Sequence, residues 1–155
     1  MAYWDWSPSY ELGINVIDKQ HQRIVEYINE LQDVLKTRDK ERIAATIVGI
    51  ADYTVSHFAF EESLMSEAGY PMLAPHKKVH EAFIQTVGKY QSAFREGNDI
   101  TGQLMAELQI WLTHHILNDD KDYSPFVKKM LEDKARVSSI QRTAKKKSWF
   151  ARLFG

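Results

Sequence analysis

Apolar positions recur along this chain at intervals of three and four, and strict alternation is nowhere sustained. The first such stripe carries Ile17, His21, Ile24, Ile28, Leu31 and Leu35. The second carries Ile43, Ile47, Ile50, Thr54, His57, Glu61 and Leu64, and the third His76, His80, Phe83, Val87, Tyr90 and Phe94. The fourth begins Leu104, Leu108, Trp111 and His115. Polar or Gly/Pro-containing breaks at Thr37–Lys40, Ala68–Met72 and Gly97–Gly102 separate them, so the spacing predicts helices over 18–37, 40–67, 71–96 and 102–132. Amphipathic helices joined by short loops predict an all-α fold, an antiparallel up-down four-helix bundle. Asp39 and Asp99 suit cap or turn positions, and Gly69 suits a helix stop. Residues 1–17, with Trp4, Trp6 and Pro8, read as an extended arm packed over the bundle. The expected division is a bundle over 1–132 and a tail over 133–155.

Of the six histidines, five fall on these apolar stripes. A lone inward histidine is usually satisfied by its neighbours. Five on four inward faces would be costly to bury without partners, and metal coordination supplies partners for all of them at once. His57 and Glu61 stand one helical turn apart on one face, as do His76 and His80. Glu62 lies about 100° round the helix from Glu61 and reads as surface. Trp111 to His115 is one turn, so His115 faces in and His114 does not. The next inward carboxylate is open at this point. Asp119 follows His115 by one α-helical turn, whereas Asp120, at i+5, requires a local overwinding or a π-bulge. Pro125 also disturbs the register past Tyr123.

Composition narrows the possibilities. The 155 residues are 44% hydrophobic and 26% charged, ordinary for a folded domain. The absence of cysteine excludes thiolate metal sites, iron–sulfur clusters and thiol catalysis. No Ser/His/Asp arrangement or Gly-rich phosphate loop stands out. The longest near-apolar stretch, Ile43 to Ala51, is far short of a membrane span. The first residues carry neither a basic n-region nor an apolar h-region, so a cytoplasmic protein is expected. Net charge is −1, but residues 1–132 hold 13 Lys+Arg against 20 Asp+Glu (net −7) and residues 133–155 hold 7 against 1 (net +6). An acidic body does not suit nucleic acid. The tail ends in Lys145, Lys146, Lys147, Trp149, Phe150, Leu153 and Phe154, whose apolar members share one face of a helix beside basic residues. That suits an anionic membrane surface or a groove on a partner protein.

Together these positions resemble the hemerythrin family, specifically its single-domain bacterial members. The resemblance covers about residues 3–131 and rests on Trp4, Gly13, the run Ile17-Asp18-Lys-Gln20-His21, His57-x3-Glu61, Gly69-Tyr-Pro71, His76-x3-His80 and Trp111-Leu-x2-His115-Ile-x3-Asp120-x2-Tyr123. It implies two iron ions with a hydroxo or oxo bridge. By the same resemblance His76, His80 and His115 hold one iron, His21 and His57 hold the other, and Glu61 and Asp120 bridge them. The family's spacing selects Asp120 over Asp119. The iron with two imidazoles then keeps an open position for dioxygen, near a wall expected from Ile24, Phe58, Trp111, Leu117 and Tyr123. The implied activity is reversible oxygen binding for storage, delivery or buffering, by a monomer that is not an enzyme. Five imidazoles and two carboxylates favour carriage over oxidation, because oxidising di-iron sites commonly use four carboxylates and two histidines. Use of the same irons by a peroxidase, nitric oxide reductase or oxidase, or by a sensor signalling through the tail, stays open at this point. So does delivery of oxygen to a membrane or an oxygen-consuming partner.

Overall fold

The computed structural model describes residues 3–154, with the backbone alone for Leu153 and Phe154. A short 3-10 turn, Pro8–Tyr10, interrupts an otherwise irregular N-terminal segment. The helices are α1 (Asn15–Thr37), α2 (Lys40–Glu67), α3 (Leu73–Arg95), α4 (Thr101–His114) and α5 (Lys121–Phe154). A π-helical stretch, His115–Asp120, joins α4 to α5, so these three pieces form one rod. The bundle thus has four rods, with α1 packed on α2 and α4, and α3 packed on α2 and α4.

The helix ends follow local chemistry. Asp39 caps α2, its Oδ1 accepting from the backbone N–H groups of Glu41 and Arg42, each at 3.1 Å. Gly69 adopts φ +68 beyond α2, a conformation costly for residues with a Cβ, and Tyr70 N–H then reaches back to the Met65 carbonyl at 2.9 Å. Asp99 acts as a turn residue before α4, accepting from Thr101 Oγ1 at 2.9 Å. In the N-terminal segment, Trp4 is buried and exchanges two hydrogen bonds with the Asn29 amide, each at 2.9 Å. Asp18 accepts from Leu12 N–H at 2.7 Å and Gly13 N–H at 3.0 Å, fixing the entry into α1.

The core runs the length of the bundle through Ile17, Ile28, Leu31, Ile47, Ile50, Met65, Leu104, Leu108 and Ile116, each under 2% exposed. Burial of this many large aliphatic side chains, at about 1.5–3 kcal/mol apiece, is the main force holding the rods together. By length and mean hydropathy α2 alone among the described residues would suit a membrane span, more than its short Ile43–Ala51 run implies. It belongs instead to the bundle, with eight residues buried there, His57 and Glu61 among them.

The first helix starts three residues earlier than expected, so residues 15–17 belong to α1 and not to the N-terminal arm. Two further departures concern the last rod. First, α5 does not stop near residue 132. It continues unbroken to Phe154, and every residue from Lys134 to Arg152 is exposed. Second, Pro125 lies inside α5 without ending it. Proline cannot supply the N–H that would bond the Lys121 carbonyl, and the Ser124 hydroxyl donates to that carbonyl instead, at 3.0 Å.

Candidate metal centre

His21, His57, Glu61, His76, His80, His115 and Asp120 come from all four rods and meet in the core, none more than 5% exposed. Their donor atoms form two groups that share Glu61. One consists of His76, His80, His115, Glu61 and Asp120; the other of His21, His57 and Glu61. Asp120 also touches both groups. Its Oδ1 lies 3.0 Å from His115 Nε2 and 3.4 Å from His76 Nε2, while its Oδ2 lies 3.3 Å from His21 Nε2. Glu61 Oε2 lies 3.4 Å from His57 Nε2 and 3.5 Å from His80 Nε2, and Oε1 lies 3.6 Å from His21 Nε2. The two carboxylates therefore stand between a three-imidazole set and a two-imidazole set.

The Nε2 atoms of His76 and His80, and of His80 and His115, are each 3.1 Å apart. Two nitrogens at right angles round a first-row metal ion, each at about 2.1 Å, would stand about 3.0 Å apart. The donor set is hard and borderline, oxygen and imidazole without sulfur, which suits iron. Among the buried atoms with no hydrogen-bond partner are His21 Nε2, His57 Nε2, Glu61 Oε2 and both Asp120 oxygens. Leaving one such atom unsatisfied costs about 1–3 kcal/mol, more if charged, so five in one place call for cations.

Electrostatics point the same way. Burial acts to discharge His21, but contact with Asp120 and Glu61 outweighs it and raises the imidazole to about 9. His115 is raised to about 10 against burial by Asp120 and Asp119. Burial lowers His57 to about 4, despite the nearby Glu61 charge. Burial pushes the Asp120 carboxyl up, yet His115, His21 and His76 hold it well below the usual carboxylate range. Glu61 is likewise lowered, its neighbouring imidazoles outweighing burial and Asp120. Protons on imidazoles thus supply the positive charge that the buried carboxylates demand, and metal ions would supply it more fully.

The π-helical stretch explains the spacing of the last two acids. Its i→i+5 hydrogen bonding widens the turn, so residues four and five beyond His115 both lie over that side chain. Asp120 points inward to Nε2, and Asp119 accepts from the opposite nitrogen, Nδ1, at 3.0 Å. Periodicity leaves the two acids as alternatives; in the folded chain they hold the two ends of one ring. Other imidazoles are held from outside too. His57 Nδ1 donates to Gln20 Oε1 at 2.8 Å, and His80 Nδ1 to Glu62 Oε1 at 2.9 Å. Glu62, read as plain surface, therefore has a contact with the centre. The signal for it was the 100° offset itself, which places it toward α3 beside the inward face.

Of the residues expected to wall the oxygen site, three touch the donor residues. Phe58 stacks on His80 at 3.8 Å between ring centroids, and Trp111 stacks on His115 at 4.4 Å. Ile24 is buried, Leu117 half-buried, and its neighbour Ile116 wholly buried. Tyr123 is wholly buried, and its hydroxyl donates to Glu61 Oε1 at 2.6 Å, a role beyond that of pocket lining. Of the tail residues, Lys145, Lys146, Lys147, Trp149 and Phe150 are exposed, and the side chains of Leu153 and Phe154 lie outside the described residues.

Residues 12–127 match the family described as the hemerythrin HHE cation binding domain. The bacteriohemerythrin of Stenotrophomonas maltophilia is 45% identical over 136 residues, which is 88% of this chain and 89% of that protein. The bacteriohemerythrin of Pseudomonas aeruginosa is 42% identical over 150 residues, 94% of this chain and 98% of that one. A crystal structure of wild-type hemerythrin aligns with a TM-score of 0.76 at 28% identity, covering 81% of this chain and 98% of that chain.

Proposed function

The chain belongs to the hemerythrin family, and from that premise we propose how its residues bind dioxygen reversibly at a non-haem di-iron centre. It is an oxygen-binding protein, and these relationships favour neither an enzyme nor a sensor. The observation that carries the reading is the pair of buried donor sets joined by two shared carboxylates. In this reading His76, His80 and His115 would hold one iron, His21 and His57 would hold the other, and Glu61 and Asp120 would be shared between them. When bound, the ferrous pair supplies the two electrons that dioxygen takes up on binding and returns on release.

The chain's own residues do the rest. The two-imidazole set offers one donor fewer than the three-imidazole set, so the position for dioxygen would lie on its side. Tyr123 donates to Glu61 and fixes that carboxylate's rotamer. Phe58 and Trp111 cover the His80 and His115 rings and keep water from them. We assign Ile24, Phe58, Trp111, Leu117 and Tyr123 to the wall of the oxygen pocket. A dry wall withholds the protons that would turn bound oxygen into a lost product.

The test is the visible spectrum of iron-loaded protein, reduced without air, then aerated, then degassed. Two irons per chain and a charge-transfer band that comes with air and goes on degassing are expected. Irreversible bleaching would move the function to oxidation chemistry, and no iron-dependent band would remove the di-iron reading.

A monomer with a cytoplasmic location completes this reading. There the tail faces the anionic leaflet of the membrane. Lys145, Lys146 and Lys147 step round the α5 backbone at about 100° intervals, and Trp149, one turn further on, is 59% exposed. A cationic collar beside an exposed indole suits a bilayer interface. We propose that the tail rests on such a surface and brings oxygen near its consumers. Co-sedimentation with anionic vesicles, with and without residues 145–155, checks this; equal binding of both forms would remove the membrane and leave a protein partner.

A further inference from the structure

We propose that Glu62 and Asp119 are positioning residues that make the His76–His80–His115 half of the centre the tighter holder of metal. The inference rests on the di-iron reading and concerns groups outside the seven donors.

An imidazole that binds a cation through one nitrogen must carry its proton on the other, and the partner of that proton sets the ring's orientation and basicity. The two halves differ in those partners. His80 Nδ1–H donates to the Glu62 carboxylate at 2.9 Å, and His115 Nδ1–H to the Asp119 carboxylate at 3.0 Å. An ionised carboxylate only accepts, so each contact places the proton on Nδ1 and turns a free Nε2 lone pair inward. In the other half, His57 Nδ1–H donates to the neutral Gln20 amide at 2.8 Å, and His21 Nδ1 is buried with no hydrogen-bond partner.

Negative charge on an acceptor makes such a bond stronger and the imidazole a better donor to a cation. Two of three rings backed by a carboxylate, against one of two backed by an amide and the other by nothing, is therefore a built-in imbalance. Glu62 is pinned from its other oxygen by Lys77 Nζ at 3.2 Å, and its side chain is only 21% exposed. Asp119 is 31% exposed and sits at the rim of a surface depression of about 170 Å³ whose lining includes His76. Neither acid belongs to the hydrophobic core, so both tolerate replacement by their amides.

The experiment uses full-length protein loaded with iron, reduced without air and mixed with excess ferrous chelator, the coloured complex being followed over time. Iron should leave in two phases of equal size. Asp119→Asn and Glu62→Gln should each speed the slow phase by about 10–100-fold and leave the fast phase unchanged. Asp119→Glu should restore part of the loss, and Gln20→Glu should slow the fast phase. Circular dichroism confirms that each variant keeps its helices. Two irons per chain with release rates unmoved by Asp119→Asn and Glu62→Gln, or with both phases moved equally, would overturn this inference alone. No iron uptake by the unaltered protein would overturn the di-iron reading beneath it.

Discussion

His115 shows how much one side chain asks of its neighbours. Its ring is stacked on Trp111, its inner nitrogen faces Asp120 and its outer nitrogen holds Asp119. Tyr123 plays the matching part for Glu61. Tyr123→Phe deletes that one hydroxyl and leaves a buried carboxylate oxygen short of a donor. Hydrogen bonds to charged groups are worth about 1.5–3 kcal/mol, so a loss of that size is expected in urea unfolding of the metal-free protein. Asp120→Ala removes the acid that touches both imidazole sets, and iron analysis should find one iron per chain or fewer. The histidine stripe was legible from spacing alone, because inward position and helical period are the same information. Asp119 and Asp120 were not separable that way, since a π turn breaks the period at the point where the choice is made.

At the level of elements, three helix spans are visible in the sequence to within three residues at each end, because Asp39, Gly69 and Gly97 mark real caps and left-handed turns. The fourth span was cut short. Pro125 disturbs the register past Tyr123, yet a helix needs neither a buried face nor a complete hydrogen-bond ladder at every position. Ser124 supplies the bond that Pro125 withholds. Ser124→Ala should therefore destabilise the bundle by about 1 kcal/mol, with iron content nearly intact, as a melt of loaded protein would show. Asp39→Ala, at the far end from the metal centre's acids, removes the α2 cap and should cost a similar amount, about 1 kcal/mol. Equal iron content in both variants would separate these helix effects from the chemistry of the site.

For the molecule as a whole, folding and metal binding are one equilibrium. Two fully buried carboxylates and five buried imidazoles are tolerable only with positive charge among them. Stripping the iron with a chelator under reducing conditions should lower the melting temperature by about 10 °C or more, the size of a few kcal/mol of lost binding energy. Calorimetry of the two forms measures it directly. The rod α4–π–α5 also fixes where charge lies. An acidic body (13 Lys+Arg against 20 Asp+Glu over residues 1–132) carries a basic helix (7 against 1 over residues 133–155) that stands out along its own axis. Such a molecule is a permanent electric dipole with a stiff handle. Near any negatively charged boundary it experiences a torque before it experiences contact, and it swings basic end first. The oxygen-binding centre, whose Asp120 immediately precedes α5, turns with that helix, so its orientation is set by the field.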